Sequence, residues 1–271
     1  VLILLSAGSG YSQNYRINER SRLYTEELSD DSLLIKADND FAVPLSLRLD
    51  LELSNLQSVE GAQVFAVLQP LSKGQVVARL KKINPEEEFR CRYDWRMVLG
   101  DVSKSPDAHQ YAFPFSRESA FTVSQGPGEN FSHHNSFAYD FVMPVGSPVK
   151  AAREGIVAFV ETSFERGGPY RELMDKANVI SVLHEDGTIA NYVHLSPKGS
   201  LVKEGESVKA GQVIGFSGNT GYSTGAHLHF ELIQPSYDSM DKKWIKFDWD
   251  SPVYTLGHSG HASEAKGTGK P

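Results

Sequence analysis

The sequence is poorest in cysteine: its 271 residues contain one, Cys91. A single thiol excludes an intramolecular disulfide framework, and it cannot build a thiolate zinc site alone. Long apolar runs are also missing. No stretch approaches the roughly 20 residues that a membrane-spanning helix needs. Cationic excess is absent too. The formal charge is -7, whereas nucleic-acid binders are more often basic. Disorder along the whole chain is excluded in turn, because 40% of the residues are hydrophobic. What remains is an ordinary globular composition, long enough for one large or two medium domains. Against the near-absence of cysteine stand nine histidines, and the question is whether some of them converge.

The chain opens Val1-Leu2-Ile3-Leu4-Leu5 and runs into Ser6-Ala7-Gly8-Ser9-Gly10. Two readings are open. Residues 1–22 are the remnant of a secretory signal with a leader, or the apolar run is a short buried strand. On the first reading the protein works outside the cytoplasm.

Residues 23–105 read as all-β. Leu45, Leu47, Leu49, Leu51 and Leu53 alternate with Ser46, Arg48, Asp50 and Glu52, the period of a half-buried strand. Phe89, Cys91, Tyr93, Trp95 and Met97 alternate in the same way with charged residues, which gives Cys91 a packing role. Val64 to Leu68 is a further short apolar run, and turn-rich segments at Asp38-Asn39-Asp40 and Asn84-Pro85 separate the strands. This spacing predicts a small β-sandwich. The polar stretch from about 100 to 118 reads as a linker. A second β-domain is expected over 118–256, with short bent strands around glycine turns at 145–149 and 202–211. One or two helical turns are expected at Arg171 to Ala177, and a disordered tail over 257–271.

Three histidine segments carry chemistry. In Ala226-His227-Leu228-His229-Phe230-Glu231-Leu232 every second residue is apolar, so a strand puts His227, His229 and Glu231 on one face. His-x-His alone is weak, since roughly 0.3 such pairs arise by chance at this composition; the alternation strengthens it. Tyr192-Val193-His194-Leu195 is also strand-like and offers His194. In Ser132-His133-His134-Asn135-Ser136-Phe137-Ala138-Tyr139-Asp140-Phe141, Asp140 lies on a strand face opposite three aromatic rings, with His133 and His134 just upstream. Two imidazoles and one carboxylate make a zinc ligand set whose fourth position stays open to water. Competing motifs fail on context. His184-Glu185-Asp186-Gly187-Thr188 lacks the second histidine of HExxH and reads as a hairpin turn. Gly221-Tyr222-Ser223-Thr224-Gly225 matches G-x-S-x-G but is followed by a strand, where a nucleophile elbow needs a helix. Gly126-Pro127-Gly128 lacks the third glycine of a dinucleotide site. His109, His258 and His261 have no partners in sequence and read as exposed.

The order of these motifs resembles the lysostaphin/LytM-type zinc endopeptidases, which cut peptide cross-links in bacterial peptidoglycan. The resemblance covers roughly 121–235. It rests on SHHNSFAYDF, on Y-V-H-L at 192–195, and on GNTGYSTGAHLHFEL at 218–232. DNDFAVPLSLRLDLELSNL upstream also resembles the N-terminal β-domain of some exported members. The resemblance implies an all-β fold, a small N-terminal β-sandwich followed by a compact LytM-type β-domain with an open metal-binding groove. By position it implies Zn²⁺ held by Asp140 and His229, with His133 as the other ligand and His134 as the alternative. The short family form is H-x-x-x-D, but Ser136 stands four before Asp140, so the likeness is to members with a longer hairpin. His227 and His194 would be the catalytic histidines, His227 as general acid–base on a zinc-activated water and His194 as hydrogen-bond donor to an oxyanion. Segments 163–176 and 216–225 would flank the cleft. The partners implied are stem or cross-link peptides of peptidoglycan, and the location is the periplasm or cell envelope of a bacterium. Two other classes compete. An inactive wall-binding or amidase-activating module would lack ligands or histidines, yet a candidate stands at every position. A lipoyl- or biotinyl-type carrier needs an exposed turn lysine among small residues, which is absent.

Overall fold

Alternating side chains select one face of each strand for burial, and the computed structural model shows where those faces meet. Its described residues are 16–28, 31–119, 121–128, 133, 136–237, 243–250, 254–256 and 262–264. They fall into two compact units, the first ending at Val102 but also taking in Pro235–Asp241, the second made of the rest. Among the described residues no helix is long and apolar enough to cross a membrane.

The first unit holds β1 (Ser21–Glu27), β2 (Ser32–Asn39), β3 (Leu45–Ser54), β4 (Leu56–Ser58), β5 (Gln63–Leu68), β6 (Gln75–Lys82) and β7 (Arg90–Leu99). They form two antiparallel sheets, ordered β1-β2-β6-β4 and β5-β3-β7. Leu45, Leu47, Leu49 and Leu51 of β3 are buried, and Cys91, Tyr93 and Met97 of β7 lie on the buried face of theirs. Trp95 and Phe89 are only half-buried. In the Val64–Leu68 run, Val64 and Leu68 are buried but Phe65 faces outward, against the ring of Tyr237. The turn expected at Asp38-Asn39-Asp40 has a specific anchor. Asn39 is wholly buried, donates to the carbonyls of Val43 and Gln69, and accepts from the Phe41 amide. Of the leader expected over 1–22, residues 1–15 lie outside the described set; Ile17–Arg20 form a helical turn that leads into β1.

The second unit begins with β8 (Gln110–Tyr111), followed by β9 (Val123–Gln125), β10 (Ala138–Val142), β11 (Pro148–Lys150), β12 (Gly155–Glu161), β13 (Gly167–Gly168), β14 (Val179–Leu183), β15 (Ile189–Val193) and β16 (Leu195–Ser200). Then come β17 (Ser207–Val208), β18 (Val213–Ser217), β19 (Gly221–Tyr222), β20 (His227–Gln234), β21 (Lys243–Trp244), β22 (Asp248–Trp249), β23 (Tyr254–Leu256) and β24 (Ala262–Glu264). Its main sheet runs β17-β12-β14-β15-β20-β10-β9-β23-β24, with β21 also paired to β20. A smaller sheet, β11-β18-β16, lies off this path. The core is strongly aromatic: Tyr111, Phe141, Tyr192 and Phe230 are all at most 2% exposed, with Phe247 and Trp249 packed among them.

Two expectations need correction. The stretch read as a linker is not one along its length. Tyr111 and Phe115 are buried, and Phe113 stacks on Trp249 with ring centroids 5.0 Å apart. The surrounding polar residues hid this alternation. Of the expected tail 257–271, Ala262–Glu264 form β24, and the remainder, with His258 and His261, lies outside the described residues. The helical turn expected after 171 is a single 3₁₀ turn, Arg171–Leu173. His184 to Thr188 close the β14–β15 hairpin as expected, with Gly187 at φ +84°.

Candidate metal centre

The centre is built where three adjacent strands bring distant parts of the chain into register. On β10 and β20, Asp140 stands directly opposite His229, and Val142 opposite His227. On the other side of β20, Val193 of β15 is paired with His229, and His194 follows it immediately. His133 reaches the same point from the segment before β10.

Three donor atoms converge. His133 Nε2 lies 3.4 Å from Asp140 Oδ1 and 3.4 Å from His229 Nδ1, and His229 Nδ1 lies 2.8 Å from Asp140 Oδ1. A tetrahedral zinc with bonds of about 2.0–2.1 Å needs donor separations of roughly 3.3 Å. The triangle fits that size, and its donors, two imidazoles and a carboxylate, suit the same ion. Among the described residues this is the group of three such side chains close enough to share a metal. His134, the alternative to His133, lies outside the described residues.

The other two histidines sit beside this triangle. His227 Nε2 is 3.8 Å from Asp140 Oδ1, and the rings of His194 and His227 have centroids 4.5 Å apart. Backbone carbonyls set the tautomers. His133 Nδ1 donates to Gly126 O at 3.2 Å, His194 Nδ1 to Thr220 O at 2.7 Å, and His227 Nδ1 to Gly225 O at 2.8 Å. Each ring thus carries its proton on Nδ1 and presents Nε2 as a lone pair. His229 is the exception, because its Nδ1 is the atom that faces Asp140.

His194 is not in simple strand alternation. It adopts φ +63°, the left-handed region, between β15 and β16. Tyr192, expected on the same face as His194, is instead fully buried and accepts the Ala152 amide through its hydroxyl at 2.7 Å. The kink turns His194 toward β20, and the chain beside it is clamped. Thr220 Oγ1 donates to Leu195 O and accepts from the Asn178 amide, while the Asn178 side chain donates to Phe164 O. In this way the 163–176 segment is tied to the loop before β20. Two glycines permit the approach. A Cβ on Gly167 would fall 1.4 Å from Asn219 O, and Gly221 takes φ +79° against Ala177. Tyr170 and Met174 of the same segment are exposed.

The electrostatics follow from the geometry. Burial pushes the Asp140 carboxyl up, but the close approach of His133 and His229 outweighs it and holds the group well below the usual carboxylate range. Burial lowers His229, yet Asp140 and Glu231 raise it to about 9. His194 is pushed down to about 3 by burial and by its histidine neighbours. A carboxylate that stays ionised here is a pre-formed anionic point for a cation.

Other groups around the centre had no assigned chemistry in the sequence. Glu231 was legible only as a third member of the His227 face. It is 2% exposed, accepts from Asn191 at 3.0 Å and Trp244 at 2.9 Å, and lies 3.7 Å from His229 Nε2. Ser223, inside the discarded G-x-S-x-G match, is 3.2 Å from His227 Nδ1 and donates to Asn219. His109, read as exposed, is half-buried with its ring edge-on to Tyr111.

Comparison with known proteins agrees with this site. Residues 134–242 match the model described as peptidase family M23. An uncharacterized metalloprotease from Buchnera aphidicola is 26% identical over 244 residues, covering 81% of this chain and 60% of that protein. The peptidoglycan DD-endopeptidase ShyA of Vibrio cholerae is 43% identical over 94 residues, 35% of this chain and 19% of its own length. Lysostaphin of Staphylococcus simulans is 40% identical over 104 residues, 38% of this chain and 19% of the enzyme. The chain therefore spans 60% of the first of these relatives and about a fifth of the other two. With a mostly-β fold and a His-Asp-His cluster, it carries a domain of the metallopeptidase class. That domain belongs to peptidase family M23, of the lysostaphin/LytM type.

Proposed function

We propose that this protein is a zinc-dependent endopeptidase that hydrolyses peptide cross-links of bacterial peptidoglycan, acting outside the cytoplasm in the cell envelope. The observation that carries the reading is the triangle of His133, Asp140 and His229, with the Nε2 lone pairs of two further histidines beside it. These three residues would hold the zinc. Bound there, the ion would supply Lewis acidity and lower the pKa of water in its reach to about 7.

The chain's own groups do the rest. The Gly225 carbonyl holds His227 Nδ1–H, leaving Nε2 to take a proton from the attacking water and return it to the leaving amine. His194 has the same tautomer, so in its neutral form Nε2 accepts rather than donates. Donation to an oxyanion, the role the resemblance implies, requires the doubly protonated ring; as a neutral base His194 can instead relay the proton held by its neighbour. Tyr170 and Met174 supply an exposed apolar rim on the segment tied to the His194 loop.

The test is zinc content together with turnover of purified peptidoglycan. Wild type is expected to hold about one zinc per chain. His229→Ala is expected to lose the metal, and His227→Ala to keep it, each at least about a hundredfold slower. His133→Ala should be metal-deficient and His134→Ala should not. Wild type that binds zinc without turning over any wall substrate would leave the inactive wall-binding module as the answer, and zinc-free wild type would sink the metal reading.

A further inference from the structure

Glu231 is a carboxylate buried beside a histidine cluster that already has its acid in Asp140. Burying a charge is costly unless donors hold it, and here the donors are built into the sheet. Asn191 stands opposite Glu231 in the β15–β20 register, and Trp244 of β21 pairs with Ile233 on the same strand. Ser181 Oγ donates to Asn191 Oδ1 at 2.7 Å, which turns the Asn191 amide nitrogen toward Glu231 Oε1. Trp244 Nε1 donates to the other oxygen, Oε2. Ser181 and Asn191 are themselves fully buried. The carboxylate is thus tethered at both oxygens, and Oε2 is the one that faces His229 Nε2 at 3.7 Å.

His229 therefore lies between two carboxylates, Asp140 at Nδ1 and Glu231 at Nε2. Among the described residues it is also the one histidine of the centre whose ring meets no backbone carbonyl. We propose that Glu231 is the positioning residue for the metal centre: tethered by Asn191 and Trp244, it orients the His229 ring with the proton on Nε2, so that Nδ1 is the donor atom toward a bound cation. The inference rests on the zinc reading above. It assigns Trp244 a second consequence, since an indole hydrogen-bonded to that carboxylate reports on the centre.

The test is zinc affinity, measured by chelator competition on wild type, Glu231→Gln and Trp244→Phe, with circular dichroism for folding and tryptophan emission as the optical signal. Loss of such a supporting group typically weakens metal binding 10–100-fold. Glu231→Gln is expected to fold and to bind zinc about 10–100-fold more weakly; Trp244→Phe, which removes one tether, is expected to lose less. Zinc should change the emission of wild type, and Trp244→Phe should abolish that change while Trp95 and Trp249 remain. A folded Glu231→Gln with wild-type affinity and a lowered melting temperature would make the residue merely structural and overturn the proposal. If Glu231→Gln fails to fold, unchanged affinity in Trp244→Phe overturns it instead. Wild type that takes up no zinc is a different failure, that of the metal reading itself.

Discussion

Strands β3 and β20 follow the same alternating pattern, and they use its second face in opposite ways. In β3, Leu45, Leu47, Leu49 and Leu51 are buried, while Arg48 and Asp50 form an ion pair at 3.1 Å on the half-buried side and Glu52 is exposed. In β20, Leu228, Phe230 and Leu232 are buried, but the polar face is covered too. The side chains of His227, His229 and Glu231 are only 15%, 20% and 2% exposed. Apart from Ser46, which is buried and bonded to Gly100 O and the Val102 amide, the polar face of β3 is open to water at little cost. On β20 the polar groups must satisfy one another, and an arrangement that buries a carboxylate, Glu231, beside the His229 imidazole is costly unless it has a use. The difference between the strands is therefore the difference between a strand that holds a fold and one that also holds a site.

The sharpest way to test that difference is to remove one large side chain from the apolar face of each. Phe230 is fully buried, with ring centroids 5.2 Å from Tyr192 and 5.6 Å from Phe247. Phe230→Ala is expected to cost about 3–5 kcal/mol, and Leu47→Ala in β3 about 2–5 kcal/mol. Denaturant unfolding measures both. Their consequences for metal should part, because Phe230 sits between Leu228 and Leu232 on the strand that sets His229. Zinc affinity should fall in Phe230→Ala and stay at the wild-type value in Leu47→Ala. Equal zinc affinities in the two variants would erase the distinction between the strands.

How much of this was legible from residues alone depended on the same alternation. Strands β3, β7 and β20 could be read directly, and so could the placing of His227, His229 and Asp140 on polar faces. The alternation cannot say which strands become neighbours, because Asp140 and His229 pair across a sequence separation of 89. Strands β2 and β6 are harder to read, because Lys36, Arg79 and Lys81 interrupt their apolar runs, although Leu33, Ile35 and Ala37 are buried. Asn191 and Trp244 carry no signal, and Ser223 carries only the misleading one of its G-x-S-x-G match. Their roles exist only through partners 4 to 40 residues away in sequence.

A second contrast lies within the second unit, between histidines gathered at the centre and one buried elsewhere. His184 is 2% exposed at the β14–β15 hairpin, where its Nδ1 donates to Glu154 O at 2.7 Å and its Nε2 has no hydrogen-bond partner among the described residues. Burial, opposed by the Glu154 carbonyl and reinforced by the nearby Arg153 charge, lowers it from 6.5 to about 4. The unfolded chain then takes up this proton at a higher pH than the folded one does. Stability from the neutral ring is therefore complete above about pH 6.5 and is lost as pH falls toward 4, by about 3 kcal/mol in all. Wild type compared with His184→Gln across pH 4–7 isolates the effect from the carboxylates. The variant should show a flatter decline, and parallel curves would refute the assignment.

The smallest effect belongs to the solvated side of the first unit. Arg79 of β6 meets Glu60 at 3.1 Å, and its side chain is 61% exposed. Glu60 also accepts the Arg79 backbone amide through its other oxygen at 2.8 Å, a bond that survives any change of side chain. An exposed pair of this kind gains little Coulomb energy in water and gives some of it back by ordering a long side chain. Arg79→Ala is therefore expected to change stability by less than about 1 kcal/mol, and the small effect should shrink further in high salt. A loss of several kcal/mol, independent of salt, would mean that the polar face of this unit is held as tightly as that of β20. The contrast between a solvated and a buried polar face would then no longer separate the strand that carries chemistry from those that do not.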